Sequence, residues 1–483
     1  MTEIVLSTSL EFAKEQESVD PVGVKATSFS PWSANMAKSS RSNPLDKYLL
    51  NLYTPSVEAK IWSIAAKGLQ QSSPPTLYPE YTKPGGTHYI YRKADFWTSG
   101  FFPGSLYLLL ERKKKHSHVL GQAGDLWAGN LDPLSLEYAC KYWTESLHSN
   151  ALLSNTHDLG FMIMPWAKVA YELNHDLRAL DTIERAAQTL FSRYNSSMGC
   201  IRSWDNCVTK KYSFQDVNSE FMVIIDNMMN LDLLFYAASK TGNADMFSAA
   251  VQHARTTSRT HIRADGSTTH LVVLDPRSGD IRHRLTNQGH SHSSCWARGQ
   301  AWAIAGFAET YHWTHDEDFL HISQRVANYF IEHLPDSGIV PWDFDAIEHE
   351  TTSQPSDSSA AMVAAYGMLL IHEGLVHLGQ SSNYLREALK LTRAVCAYQM
   401  NPEASWVVSE IVMDTVECGS VKKTAQEASV GIGDTILTGA TINNYEYAPR
   451  RWANHGLVYA DYYFLLVGNK MLEMGIDLCG ILV

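Results

Sequence analysis

Apolar residues recur at helical spacing through most of this chain, in segments of roughly 15 to 20 residues. The spacing predicts twelve helices, over 55–70, 102–113, 133–148, 158–173, 177–194, 220–239, 243–259, 295–313, 317–334, 357–376, 382–399 and 456–472. Strand signals are sparse, and the clearest lies at 269–274, ahead of the turn residues 275–279. Twelve helices in consecutive pairs predict an all-α fold, an (α/α)6 barrel with minor β hairpins in its loops.

Two kinds of helix are expected in such a toroid. Inner helices are buried on nearly every side and should be apolar all round, as 221–237 and 295–309 are. Outer helices should be amphipathic, as 177–194 and 317–334 are. The N-termini of the inner helices would line one end of the ring, where we expect a pocket.

The barrel is expected to occupy residues 43–483 as a single domain. Residues 1–42 are rich in Ser, Thr and charge and lack periodicity, which predicts a poorly ordered or surface-draped arm. The segment 401–455 is interpreted as long loops or a short hairpin, because Gly, Thr and Asn cluster in it.

Composition and charge exclude some classes of partner and location. A net charge of -12 argues against nucleic acid, which needs a clustered basic face. No uninterrupted apolar run reaches the ~18 residues of a membrane span, and the first thirty residues lack the pattern of a secretory signal. The seven cysteines are scattered and odd in number, which is typical of free thiols in a reducing compartment. A cytoplasmic location is therefore expected.

An acid interrupts a strongly apolar stretch at Asp226. A buried carboxyl group without a partner has a raised pKa, which a general acid at neutral pH requires. The structural alternative is a helix cap or a buried acid paired with arginine.

A second acid, Asp158, follows His157 and precedes the apolar helix 158–173. An N-cap is the common role for aspartate in this position, with His157 as a packing residue. Two acids on separate inner helices at one end of a ring would instead form the carboxylate pair that cleaves glycosides.

A third segment, 287–302, runs from a Gly- and Ser-containing loop into an apolar helix. Arg298 could hold a carboxylate with its planar guanidinium, or form a structural salt bridge. Trp296 and Trp302 are equally consistent with core packing. His270, His290 and His292 lack an acid at a matching offset, so neither a metal nor a cofactor is expected.

Together these segments resemble glycoside hydrolase family 88, the unsaturated glucuronyl hydrolases. The resemblance covers roughly residues 50 to 470 and rests on the order and spacing of FWTSGFFPGSLYLL (96–109), HDLGFM (157–162), RSWDN (202–206), IIDNMMNLDLLFYAA (224–238), GSTTHLVVLDPRSG (266–279), NQGHSHSSCWARGQAWAIAGF (287–307), PWDFDA (341–346), DSSAAMVAA (357–365) and YADYYFLL (459–466). It implies an (α/α)6 barrel, in agreement with the helix count.

The resemblance also implies a reaction. Family members remove a 4,5-unsaturated uronic acid from the non-reducing end of lyase-generated oligosaccharides by hydrating its C4=C5 bond. Asp226 matches the general acid/base of the family. Asp158 matches the residue that holds the sugar and helps to tune the pKa of the general acid/base. The remaining matches are substrate-binding: the polar His157, His270, Gln288 and Arg298, and the aromatic Trp97, Trp204 and Trp302.

Some family features have no clear counterpart here. The segment 401–455 is expanded, and the serines that hold the substrate carboxylate are not evident. Two alternatives stay open: an unsaturated rhamnogalacturonyl hydrolase, and a non-catalytic carbohydrate-binding toroid. The expected partner is an unsaturated oligosaccharide, and the expected state is a monomer or weak homo-oligomer.

Overall fold

A computed structural model of the chain describes residues 48–121, 131–346, 354–415, 419–429 and 433–476. The arm predicted for residues 1–42 lies outside this part. Thirteen α-helices run through the described residues: α1 (Pro55–Leu69), α2 (Phe101–Lys115), α3 (Ser117–Gly121), α4 (Pro133–Thr144), α5 (Leu159–Asn174), α6 (Leu177–Phe191), α7 (Leu231–Thr241), α8 (Ala244–Thr260), α9 (Ala297–Thr314), α10 (Glu317–Glu332), α11 (Ser358–His377), α12 (Tyr384–Tyr398) and α13 (Val458–Glu473).

Six of these helices form a closed inner ring. Helix α2 packs on α5, then α5 on α7, α7 on α9, α9 on α11, α11 on α13, and α13 returns to α2. The outer helices are α1, α4, α6, α8, α10 and α12, and each lies beside the inner helix that follows or precedes it in the chain. The predicted (α/α)6 barrel is confirmed.

Side-chain burial separates the two layers as the sequence predicts. Helix α9 buries fourteen of its eighteen residues, because it meets neighbours on almost every side. The outer helix α6 buries six of fifteen, and those six recur at helical spacing along one face. The assignment of 295–309 to the inner layer and of 177–194 to the outer layer is confirmed.

The helix predicted over 220–239 is wrong in its first half. The chain there forms strand β7 (Phe221–Ile224), then a 3-10 helix (Ile225–Asn230), and only then α7. An apolar run such as Phe-Met-Val-Ile suits a buried strand as well as a helix. A strand forms here because the segment pairs antiparallel with β8 (Leu271–Leu274). Strand β8 is the strand that the 269–274 signal predicts.

The remaining strands lie in loops between helices. They are β1 (Leu77–Thr82), β2 (Tyr89–Lys93), β3 (Tyr194–Asn195), β4 (Cys200–Ile201), β5 (Cys207–Val208), β6 (Ser213–Phe214), β9 (Ile281–Leu285), β10 (Ser405–Thr415) and β11 (Gly419–Ser429). Strands β7, β8 and β9 form a three-stranded sheet, and the others pair as hairpins. The hairpin within 401–455 is longer than predicted, since β10 and β11 pair along all eleven residues of each strand.

Helix α11 is the one helix among the described residues that is long and apolar enough to cross a membrane. It belongs to the inner ring, and 78% of its most apolar window is buried inside the protein. The core helix of a barrel has this same length and composition.

The N-termini of the inner helices and the loops before them form one end of the ring, here called the N-terminal end. A cavity of about 370 Å³ lies within the ring between the inner helices, with Lys168, Asp232, Glu309 and Tyr366 in its wall. Most residues singled out from the sequence lie at the N-terminal end.

Candidate active site

Both sequence-predicted acids lie at the N-terminal end of the ring. Asp158 directly precedes α5, and Asp226 lies in the 3-10 helix that leads into α7. Although Asp158 occupies the N-cap position, its side chain makes no capping hydrogen bond, so the capping role does not occupy its carboxylate. The side chains of Asp158 and Asp226 keep 17% and 12% of their surface exposed, so neither is sealed from solvent.

A close contact between backbones brings the two acids together. A Cβ atom on Gly160 would lie 2.7 Å from the Cα of Asn230, so only glycine permits this approach of α5 to the 3-10 helix. The side chain of Asn230 also accepts a hydrogen bond from the backbone N–H of Phe161, at 3.2 Å. The two acid-bearing segments are therefore held directly against each other.

The environment of Asp226 favours its protonated form. Burial is the main cause that raises the pKa of this carboxyl group to about 6; His157 and Arg298 oppose the rise, and the neighbouring Asp158 adds to it. Its Oδ1 atom is buried and has no hydrogen-bond partner in the described part of the chain. Asp226 is therefore available to give a proton near neutral pH.

Asp158 behaves in the opposite way. Burial acts to raise its pKa, but His157, the hydroxyl of Thr156 and the charge of Arg193 outweigh burial and hold the pKa below its usual value. Nε2 of His157 lies 3.2 Å from Oδ1, and Oγ1 of Thr156 donates to Oδ2 at 2.5 Å. One carboxyl group of the pair is thus ionised while its neighbour stays protonated, which is the division that acid/base chemistry needs.

His270, which directly precedes strand β8, faces Asp226. The residue is 4% exposed, and its Nδ1 atom accepts a hydrogen bond from the backbone N–H of Asn287 at 3.1 Å. Burial lowers the pKa of His270 to about 3, so the ring is neutral and its proton lies on Nε2. Nε2 lies 4.0 Å from Oδ1 of Asp226, which places an N–H donor beside the acid.

Arg298 is buried, and both of its terminal nitrogens donate to protein groups. The guanidinium donates to Oδ2 of Asp357 at 2.5 Å and to the backbone oxygens of Thr441 and Ile442. It also donates to Oε1 of Gln288 at 3.0 Å. The salt bridge left open by the sequence is therefore present, and Arg298 reaches the site chiefly by holding Gln288 and by its charge on Asp226.

The three predicted tryptophans differ in exposure. Trp97 and Trp204 are half-buried, and the ring of Trp204 stands edge-on to His270 with centroids 6.4 Å apart. Trp302 is only 1% exposed, and it packs on Phe161 at 5.2 Å. Trp97 and Trp204 can offer ring faces to a ligand, whereas Trp302 is buried and packs against other aromatic side chains.

Two residues of the site were not assigned a role from the sequence. For Trp296 the sequence left core packing open as an alternative; the residue lies between His270 and Arg298, and its Nε1 is buried with no hydrogen-bond partner among the described residues. Its position as the N-cap residue of an inner helix could have identified it. Thr156 could not have been found, because its contact with Asp158 depends on the turn conformation.

The histidines weighed as metal ligands have other contacts. Nδ1 of His292 accepts a hydrogen bond from the backbone of Thr286, and His290 stands edge-on to Trp342. In the ranges that the structure describes, no three His, Cys, Asp or Glu side chains converge as a metal site would require.

Comparisons with known proteins indicate one family. The family model for glycosyl hydrolase family 88 matches residues 125–442. An unsaturated glucuronyl hydrolase of Formosa agariphila is 32% identical over 372 residues, covering 76% of this chain and 78% of its own. An unsaturated chondroitin disaccharide hydrolase of Streptococcus pneumoniae is 27% identical, covering 76% of this chain and 80% of its own.

A solved relative extends the likeness to the fold. The crystal structure of an unsaturated glucuronyl hydrolase specific for heparin superposes with a TM-score of 0.67 at 26% identity, covering 89% of this chain and 99% of that one. The family model spans well over half of the sequence, and the paired carboxyl groups of the site suit glycoside cleavage. This protein belongs to glycosyl hydrolase family 88 and is a glycoside hydrolase.

Proposed function

We propose that this enzyme removes a 4,5-unsaturated uronic acid from the non-reducing end of lyase-generated oligosaccharides by hydrating the C4=C5 bond. The observation that carries the proposal is the pairing of Asp226, whose pKa burial raises to about 6, with Asp158, whose pKa is lowered. Relatives named as unsaturated glucuronyl and chondroitin disaccharide hydrolases support the substrate class.

The proposed reaction begins with proton transfer to carbon. The C4=C5 bond is an enol ether, because the ring oxygen is attached to C5. Asp226 gives its proton to C4, and positive charge develops at C5 and the ring oxygen, where the nearby carboxylate of Asp158 stabilises it. The ionised Asp226 then takes a proton from the water that adds to C5, so the acid is regenerated.

Hydration leads to release of the sugar. The new hydroxyl on C5 makes this carbon a hemiketal, which opens to a ketone by breaking its bond to the ring oxygen. The opened C1 is a hemiacetal, and it expels the next sugar as an alcohol while C1 becomes an aldehyde. No protein group has to attack the glycosidic carbon in this sequence.

Neighbouring residues have supporting roles in the proposal. The neutral Nε2–H of His270 stabilises the carboxylate that Asp226 becomes, and Gln288 orients the water or the sugar. Trp97 and Trp204 provide flat apolar faces against which a sugar ring packs. His157 lies beside Asp158, at 3.2 Å, and helps to keep that carboxylate ionised.

Location and assembly are also proposals. The thiols of Cys140, Cys200, Cys207 and Cys295 form no disulfide, which supports a reducing, cytoplasmic compartment. We propose that the barrel of residues 43–483 acts as a monomer or weak homo-oligomer.

Ultraviolet absorbance tests the proposal, since hydration consumes the C=C bond. The enzyme is expected to remove the absorbance of an unsaturated uronyl disaccharide and to leave its saturated counterpart uncleaved. An unsaturated disaccharide that ends in rhamnose tests the rhamnogalacturonyl alternative in the same assay. Cleavage of saturated and unsaturated sugars at equal rates would contradict the hydration mechanism.

A further inference from the structure

Arg193 lies just beyond the end of α6, and its guanidinium is buried, with 6% of the side chain exposed. Its three nitrogens donate to two separate loops. Nη1 donates to the backbone oxygen of Ser154, while Nε donates to that of Arg202 at 3.0 Å. Nη2 donates to the oxygen of Ser203 at 3.3 Å and to Oδ1 of Asp205 at 2.9 Å.

The first of these loops carries Asp158. Ser154 precedes Thr156, whose hydroxyl donates to Oδ2 of Asp158 and accepts from the backbone N–H of the same residue. The position of this short turn therefore sets where the carboxylate of Asp158 points.

The second loop carries Trp204 and leads to Asp226. Thr156 and Trp204 form an antiparallel bridge, so the two loops meet directly. Ser203 accepts a hydrogen bond from the backbone N–H of Ile224 at 2.9 Å, two residues before Asp226. Arg193 thus contacts both loops at the point from which both acids and one aromatic face are held.

From these contacts, and resting on the function proposed above, we propose that Arg193 is a positioning residue for the reaction. Its guanidinium joins the loop of Asp158 to the loop of Trp204 and fixes the two acids relative to each other. Arginine suits this role because its planar fork directs five N–H donors, whereas lysine offers a single charged centre. The positive charge of Arg193 also helps to keep the pKa of Asp158 below its usual value.

The test separates charge from geometry with two variants, Arg193→Met and Arg193→Lys. The matched control is Arg185→Met, on the same segment, where an exposed arginine pairs with Asp181 at 2.8 Å. Each variant is assayed for kcat and KM with an unsaturated disaccharide across the pH range, with Asp226→Asn as the inactive reference. The titratable and charged groups that face Asp158 are His157, Arg193 and Asp226. Arg298 and His270 face Asp226 in turn.

We expect kcat/KM of Arg193→Met to fall by roughly tenfold to a hundredfold, with a higher KM, because small displacements of reacting groups have effects of this size. The acid limb of its pH–rate profile, where activity is lost as Asp158 becomes protonated, should move to higher pH. The reason is that the pKa of Asp158 rises when a neighbouring cation is removed. Arg193→Lys should keep the acid limb of the wild-type enzyme but lose much of kcat/KM.

A purely structural role predicts a different pattern. It would lower kcat in proportion to the unfolded fraction and leave KM and the acid limb unchanged. If Arg193→Met does not fold, the lysine variant decides, and wild-type kinetics there would overturn the proposal. Activity in Asp226→Asn would instead contradict the proposed function, so the two failures are distinguishable.

Discussion

The Nε2 atom of His270 lies 4.0 Å from Oδ1 of Asp226, and the other ring nitrogen of His270 accepts the backbone N–H of Asn287. This arrangement fixes the tautomer of the ring, because a nitrogen that accepts a hydrogen bond carries no proton. The imidazole therefore presents a neutral donor to the acid, and burial lowers its pKa to about 3, far below the working range.

We predict that His270→Phe lowers kcat by about a hundredfold, since a donor aimed at a developing carboxylate is lost while the ring shape is kept. The variant also leaves the N–H of Asn287 without an acceptor, which should lower the free energy of unfolding by roughly 1–3 kcal/mol. Stopped assays and urea unfolding measure the two effects separately. His283→Phe, on the exposed face of β9, serves as the control and should retain wild-type kcat. A kcat of His270→Phe within twofold of the wild type would remove the residue from the mechanism.

The raised pKa of Asp226 predicts how activity depends on pH. The proposed general acid works only when protonated, so kcat/KM should fall about tenfold per pH unit above about 6. His270 should contribute no limb between about pH 5 and 8, because its pKa lies near 3. A rate that is flat from pH 5 to about 8 would contradict the assignment.

The same pKa predicts a cost in stability. The pKa of Asp226 is about 6 in the folded protein, whereas its ordinary value of 3.8 applies in the unfolded chain. The folded state therefore binds the proton more tightly. Stability from this group is fully present below the unfolded pKa and is lost as pH rises through the folded one. Asp226→Asn should therefore gain stability relative to the wild type, by about 2 kcal/mol more at pH 8 than at about pH 4. Urea unfolding at the two pH values measures this gain, and an equal effect at both would show that the pKa is not raised.

The buried pair of Arg298 and Asp357 predicts a large loss of stability. Asp357 is fully buried, caps α11 and accepts from Nη1 of Arg298 at 2.5 Å. Asp357→Ala would leave the arginine charge buried and unpaired, at a cost of roughly 3–5 kcal/mol. Asp316→Ala is the matched control, since Asp316 caps α10 but pairs with the exposed Arg255, and its loss should be about 1 kcal/mol.

Denaturant unfolding of both variants measures whether the buried ion pair contributes to the free energy of unfolding. Equal losses would mean that Asp357 acts as a cap alone. Activity should fall in Asp357→Ala as well, because Arg298 also holds the side chain of Gln288.

Much of the fold was predictable because helix periodicity is a local property. Twelve predicted segments correspond to helices in the barrel, and the sequence also separated inner from outer helices by the width of their apolar faces. The region before α7 was not predictable in this way. Its apolar run has no period that distinguishes a buried strand from a buried helix, and the pairing of β7 with β8 depends on residues about fifty positions away.

The candidate site, like the fold, was predictable only in part. Asp158, Asp226 and His270 were identifiable as chemical groups, and the fold brings them to one end of the ring. The roles of Arg298 and Arg193 depend on long-range partners, such as the loop oxygens of Thr441 and Ser154, which residue types alone do not reveal. How the substrate carboxylate is held was likewise not predictable, since no motif for it is evident in the sequence.

The central claim is that Asp226 delivers the proton to the unsaturated ring. The most direct measurement is the rate at which Asp226→Asn removes the absorbance of an unsaturated uronyl disaccharide at saturating concentration, with circular dichroism to verify folding. An amide keeps the shape but cannot deliver the proton, so we predict a kcat at least about a thousandfold below wild type. A folded Asp226→Asn protein with a rate within tenfold of the wild type would contradict the account.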